Sequence, residues 1–286
     1  MTQEITEEKL KLIEGVATEI RIAVIKMLAI AGSGHSAGSL GMADVFASLY
    51  FHILNHDPKN PLWEDRDRLI LSNGHICPAQ YAALSLAGYF PAEELSSLRQ
   101  INSRLQGHPH RGSLPGIETT SGPLGSGLSQ AIGIALAGKL DNKKWRVYCL
   151  LSDGEHNEGN HWEAVMFANK MKINNLVAIV DRNYIQIDGQ TEDIMPLESL
   201  RDKYVSFGWH VLEINGHSPY EIIGAVSEAR AIYEKPTVII AYTIPGKGVS
   251  FMENNYLWHG KAPNEKEEKL ALEELNKKTK FTEGKN

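Results

Sequence analysis

The sequence predicts an α/β protein with a doubly wound, mainly parallel sheet and helices on both faces. Three observations carry this. Short apolar runs rich in β-branched residues alternate with longer stretches of helical period along the whole chain, which is the pattern of parallel βαβ units. Polar, glycine-bearing loops follow the carboxyl ends of those runs, where ligands bind in such sheets. No internal repeat or low-complexity tract interrupts the alternation, and 286 residues suffice for one large domain.

Taken in order, 7–31 reads as a long helix, with Leu12, Val16, Ile20, Ala23, Val24, Met27 and Ile30 on a helical period. Gly32-Ser33-Gly34 breaks it. His35 follows, then the small residues 36–41, which would let backbone approach a ligand. A second helix spans about 42–54. A short strand, 69–71, ends in Ser72-Asn73-Gly74-His75, and Pro78 opens a helix through Gly88. A further short helix covers 91–98. From Gly107-His108-Pro109 to Gly122-Pro123-Leu124-Gly125-Ser126-Gly127 the chain reads as an ordered binding loop feeding a helix over 128–140. Strands follow at 147–151 and 176–180. After Gly189 come a polar loop, a helix near 197–207, a strand at 211–214, a helix over 219–233 and a buried strand at 236–242. One domain over 1–263 is expected, with 264–286 a charged tail that frays.

Composition narrows the function. A net charge of −6 argues against a general nucleic-acid or anionic-membrane surface. No apolar stretch reaches membrane-spanning length, and the N-terminus lacks the pattern of a signal peptide, so a cytoplasmic location is expected. Cys77 and Cys149 indicate neither a disulfide framework nor a zinc site and are read as small core residues.

Asp153 and Asn183, thirty positions apart, each follow a strand. Parallel packing would set them side by side. One carboxylate, one amide oxygen and a backbone carbonyl make a half-shell suited to Mg²⁺, which completes its six oxygens from phosphates and water. The spacing therefore predicts a Mg²⁺–diphosphate site. Four histidines, His35, His75, His108 and His259, stand in loops of small residues. A zinc site is the second reading of these four, although they lack short paired spacing.

Ser152-Asp153-Gly154…Asn183 resembles the thiamine diphosphate fingerprint. The residues 119–127, 66–75, 33–35, 107–109 and His259-Gly260-Lys261-Ala262-Pro263 resemble the transketolase family in order along nearly the whole chain. The resemblance implies the diphosphate domain of the thiamine diphosphate-binding fold. It implies that Asp153, Asn183 and the carbonyl of Ile185 hold Mg²⁺, and that Gly154, His75 and His259 contact the diphosphate. Gly122, Pro123 and Leu124 would flank the cofactor rings. His35, His108 and His259 would bind the donor sugar, with His35 and His259 handling protons, a task suited to imidazole. Glu158 would be an interface acid in a proton relay. Ser152, Arg182 and Ser36-Ala37 depart from the usual pattern.

The family's activating Glu lies in a separate pyrimidine domain, which this sequence does not resemble. The resemblance thus implies the N-terminal subunit of a split transketolase acting with a C-terminal partner, as α₂β₂, on sugar phosphates of the pentose phosphate type. Alternatives are a split ketolase for an unusual sugar, a deoxyxylulose-phosphate-synthase-like enzyme, or a non-catalytic cofactor-binding module.

Overall fold

The computed structural model describes residues 5–283. Among the described residues seven strands form: β1 (Arg68–Leu71), β2 (Val147–Ser152), β3 (Leu176–Arg182), β4 (Ile185–Gln186), β5 (Gly189–Gln190), β6 (His210–Asn215) and β7 (Thr237–Tyr242). Five of them make one parallel sheet in the order β1-β2-β3-β7-β6, while β4 and β5 form a small antiparallel hairpin. The helices are α1 (Glu7–Ala31), α2 (Ser36–Gly41), α3 (Ala43–Ser48), α4 (Cys77–Leu86), α5 (Ser126–Leu140), α6 (Gly159–Lys170), α7 (Thr191–Ile194), α8 (Leu200–Ser206), α9 (Pro219–Arg230) and α10 (Glu265–Glu283).

Alternation along each central strand divides the core in two. Leu69, Leu71, Tyr148, Leu150, Val177, Ile179, Ile239 and Ala241 face one cluster, built from α1, α3, α4 and α9. Ile70, Cys149, Leu151, Ala178, Val180, Val238 and Ile240 face the other, built from α5, α6 and α8. The expected doubly wound arrangement is therefore observed. Its physical cause is the handedness of crossovers. The chain moves outward from β1 to β6 with α5, α6 and α8 on one face, then steps back from β6 to β7 with α9 on the other.

Local chemistry sets the helix ends. The Thr6 hydroxyl accepts the Lys9 N–H at the start of α1, and Gly32, at φ 63°, closes that helix in the left-handed region. Ser199 and Ser218 cap α8 and α9 in the same way as Thr6.

Several expectations are corrected. The stretch 36–41 is not a loop open to a ligand but the buried helix α2. Its small residues serve packing: a Cβ on Gly38 would come 2.8 Å from Ile76, and one on Gly41 3.1 Å from the Ile244 carbonyl. The helix expected over 42–54 ends at Ser48 and continues as a π turn, Leu49–Ile53. The helix expected near 197–207 begins at Leu200 and ends at Ser206, and the polar loop before it holds α7 and the β4–β5 hairpin. From Glu265 the expected fraying tail is instead α10, which packs on α1 with Ala271 and Leu275 buried. Its apolar residues recur at helical spacing among many charges, so burial against α1 orders it where composition alone suggested fraying.

Candidate active site

Strand register places the two oxygen-bearing side chains. Ser152 pairs with Asp181 across β2 and β3, so the loops that follow leave the sheet side by side. Asp153 and Asn183 both line a cavity of about 310 Å³ at the carboxyl ends of the strands, together with Gly154, Ile185 and Gln186.

Each oxygen is oriented by neighbours. Asp153 Oδ2 accepts from Arg182 (3.0 Å), the Tyr184 N–H (2.8 Å) and the Thr191 hydroxyl (3.3 Å). Among the described residues its Oδ1 accepts only from the Gly154 N–H, at 2.7 Å, which leaves acceptor capacity on that oxygen. Burial pushes the Asp153 carboxyl up in pKa despite the Arg182 guanidinium and these donors. Asn183 Nδ2 donates to Asp181 (2.8 Å), and Asn183 Oδ1 accepts from the Ile185 N–H (3.0 Å). The amide is thereby held with its oxygen on the Ile185 side. Asp181 is itself buried, with its pKa pushed up to about 7 by that burial.

The four histidines converge on the same cavity. The ring of His35 lies 5.0 Å from that of His75, 5.6 Å from His259 and 6.4 Å from His108, centre to centre. His75 and His259 are 5.2 Å apart. Their elements explain the meeting. His75 follows β1, and His35 precedes α2. The Ser36 hydroxyl donates to the Lys261 carbonyl at 2.6 Å, which ties the His35 segment to the loop carrying His259. Burial, then the charge of His259, Arg99 and His108, pushes His35 down to about 4. Burial likewise lowers His75, His108 and His259. All four rings are thus neutral near pH 7, able to accept or donate hydrogen bonds to uncharged hydroxyl and carbonyl groups. Among the described residues, no group of three or more His, Cys, Asp or Glu side chains is arranged to hold a metal ion.

Gly122 and Leu124 also line the cavity, whereas Pro123 does not. The turn they belong to is anchored by Glu155, a buried residue that sequence reasoning passed over. Its carboxylate accepts from the Gly125 N–H (3.1 Å), the Ser152 N–H (2.8 Å) and the Ser72 hydroxyl (2.5 Å), joining three loops. Nothing in a lone Glu after Gly154 announced this. Glu158 is exposed at the start of α6 and is not among the lining residues. Cys77 and Cys149 are buried, and burial pushes the Cys77 thiol up to about 12 and raises that of Cys149 as well. Neither is an activated nucleophile.

The residues present fit a Mg²⁺–diphosphate group. One Asp153 oxygen retains acceptor capacity, the Asn183 amide is fixed, and the buried Nδ1 of His35 has no partner among the described residues.

Fold and cavity together define an α/β protein with a polar cavity where the carboxyl ends of its parallel strands meet. Residues 13–282 match the family described as transketolase, thiamine diphosphate binding domain, and the chain belongs to the transketolase family, whose members are thiamine diphosphate-dependent transferases. It is similar to a 6-deoxy-6-sulfo-D-fructose transketolase subunit of Clostridium sp. (strain MSTE9), at 44% identity over 91% of this chain and 95% of that one. It is 39% identical to an apulose-4-phosphate transketolase subunit of Phocaeicola vulgatus, over 93% of this chain and 94% of the other. The transketolase structure from Campylobacter jejuni superposes with a TM-score of 0.88 at 35% identity, covering 95% of this chain but 43% of that one. In kind the chain is a ketol-transferring enzyme component, the N-terminal subunit of a transketolase. These relatives set aside the deoxyxylulose-phosphate-synthase and non-catalytic alternatives.

Proposed function

We propose that the chain binds thiamine diphosphate with Mg²⁺ and, with a C-terminal partner carrying the pyrimidine domain and the activating Glu, transfers a two-carbon ketol group reversibly from a ketose phosphate to an aldose phosphate. Asp153, Asn183 and the Ile185 carbonyl would hold Mg²⁺. Gly154, His75 and His259 would contact the diphosphate, with Gly122, Pro123 and Leu124 flanking the rings. When bound, the cofactor supplies the electron sink that lets a carbon–carbon bond beside a carbonyl break. The observation that carries the reading is the convergence of four neutral imidazoles with the Asp153 and Asn183 oxygens in one cavity.

The chain's own residues do the rest. His35, His108 and His259 bind the hydroxyl and carbonyl groups of the donor sugar. His35 and His259, unprotonated at neutral pH, accept and return its hydroxyl protons. Glu158, exposed at the start of α6, faces a second copy in an α₂β₂ assembly and joins its proton relay. We place the enzyme in the cytoplasm among reactions of the pentose phosphate type. No helix among the described residues is long and apolar enough to cross a membrane.

A second reading of the substrate, an unusual sugar in place of a pentose phosphate, draws on the relatives named for sulfofructose and apulose phosphate. It also draws on Ser36, which is buried beside His35 and committed to the Lys261 carbonyl.

The test is cofactor binding and ketol transfer by the chain alone and after mixing with the product of the adjacent reading frame. Transfer only in the mixture is expected. Full transfer by the isolated chain would overturn the split assembly. Cofactor binding that survives Asp153→Ala in the assembled complex would overturn the ligand set.

A further inference from the structure

Gln186, the second residue of β4, lines the cavity, and its terminal amide nitrogen is buried without a hydrogen-bond partner among the described residues. A buried donor left unmade costs free energy, and native structures retain such groups where a ligand satisfies them or where strain is stored. The Gln186 amide lies close to Gly154. A Cβ on Gly154 would lie 3.3 Å from both Cγ and Nε2 of Gln186 and 3.5 Å from its Cδ. A side chain at position 154 would crowd the Gln186 amide, and glycine leaves it room. Gln186 thus sits over the backbone that follows Asp153, one residue beyond Ile185.

We infer that Gln186 is a further cofactor-binding residue, whose amide N–H groups donate to the diphosphate oxygens of the group held by Asp153, Asn183 and Ile185. The inference rests on the thiamine diphosphate reading above. The chemistry suits the ligand. A diphosphate presents anionic acceptors, and a neutral amide donor reaches them without adding a charge that would compete with Mg²⁺ for Asp153. The hairpin supports it, because β4 and β5 are tied through Ile185↔Gln190 and Gln186↔Gly189, which fixes the backbone carrying the amide.

A donor that waits unmade in the cofactor-free chain leaves a double signature. Gln186→Met keeps the length of the side chain and removes the donor. It should leave the unfolding temperature of the cofactor-free chain unchanged or higher. It should also weaken thiamine diphosphate binding by about tenfold, the loss expected for one hydrogen bond to a charged acceptor. Gln186→Glu, which turns a carboxylate toward the diphosphate, should weaken it at least as much.

The experiment is calorimetric titration of thiamine diphosphate at saturating Mg²⁺ into the chain assembled with its C-terminal partner, for the wild type, both variants and Asp153→Asn, with thermal unfolding of each cofactor-free chain. Wild-type binding, loss in Asp153→Asn and weakened binding in a Gln186→Met chain of undiminished thermal stability would support the inference. Wild-type affinity in Gln186→Met, with Asp153→Asn impaired, would overturn the inference and leave the cofactor reading standing. A fall in both affinity and cofactor-free stability in Gln186→Met would overturn it in favour of a structural role. Failure of the wild type to bind would overturn the cofactor reading and the inference together.

Discussion

His35 offers a quantitative handle on the site. In the folded chain its pKa is pushed from 6.5 down to about 4 by burial, then by His259, Arg99 and His108. A folded-state pKa below the unfolded one means that protonation favours unfolding. The stability is full above the unfolded pKa of 6.5 and is lost as pH falls toward 4. The complete shift corresponds to roughly 3 kcal/mol, of which about 2 kcal/mol is lost by about pH 5. The assay is urea unfolding of the wild type and His35→Asn at about pH 7.5 and about pH 5. The wild type loses more than the His35 share alone, because His75, His108 and His259 are depressed as well. The variant should lose about 2 kcal/mol less than the wild type between the two conditions. Equal losses in the two proteins would refute the argument that His35 is held neutral by its surroundings.

Two further outcomes follow from burial. Asp44→Asn leaves the buried Arg21, now 2.5 Å from the carboxylate, without a counter-charge and loosens His217 at 2.7 Å, so it should cost about 3–5 kcal/mol in denaturant unfolding. Against burial, which alone would raise it, Arg21 and His217 hold the Asp44 carboxyl below its usual range, so this stability is present above that range and is lost as pH falls through the lowered pKa. Leu275→Ala empties a buried position where α10 meets α1 and should cost about 2–4 kcal/mol while leaving thiamine diphosphate affinity unchanged by titration.

Much of the site was legible because ligands in a parallel sheet cluster where strands end. Asp153 and Asn183 could be paired from their spacing alone, since consecutive parallel strands bring their carboxyl-end loops together. The loop histidines could be singled out by their small-residue surroundings. Their mutual distances could not be read, because His35 and His259 lie more than two hundred positions apart and their segments are tied through the Ser36–Lys261 bond.

Other features were illegible for a common reason. Glu155 looks like a solvated residue after a turn, yet it joins three loops. Gln186 looks like a polar residue in a loop, yet its amide is buried against Gly154. The small residues of 36–41 suggested open backbone, yet they close a helix onto Ile76.

By itself the sequence determined the alternating elements, the parallel sheet, the Asp153–Asn183 pair and the family, because periodicity, strand-end chemistry and motif order are local properties of a chain. Only the tertiary structure decided which side chains share a cavity, which polar groups are left without partners, and that 265–283 forms a helix docked on α1. Those depend on burial and on contacts between distant segments, and no window of sequence contains them.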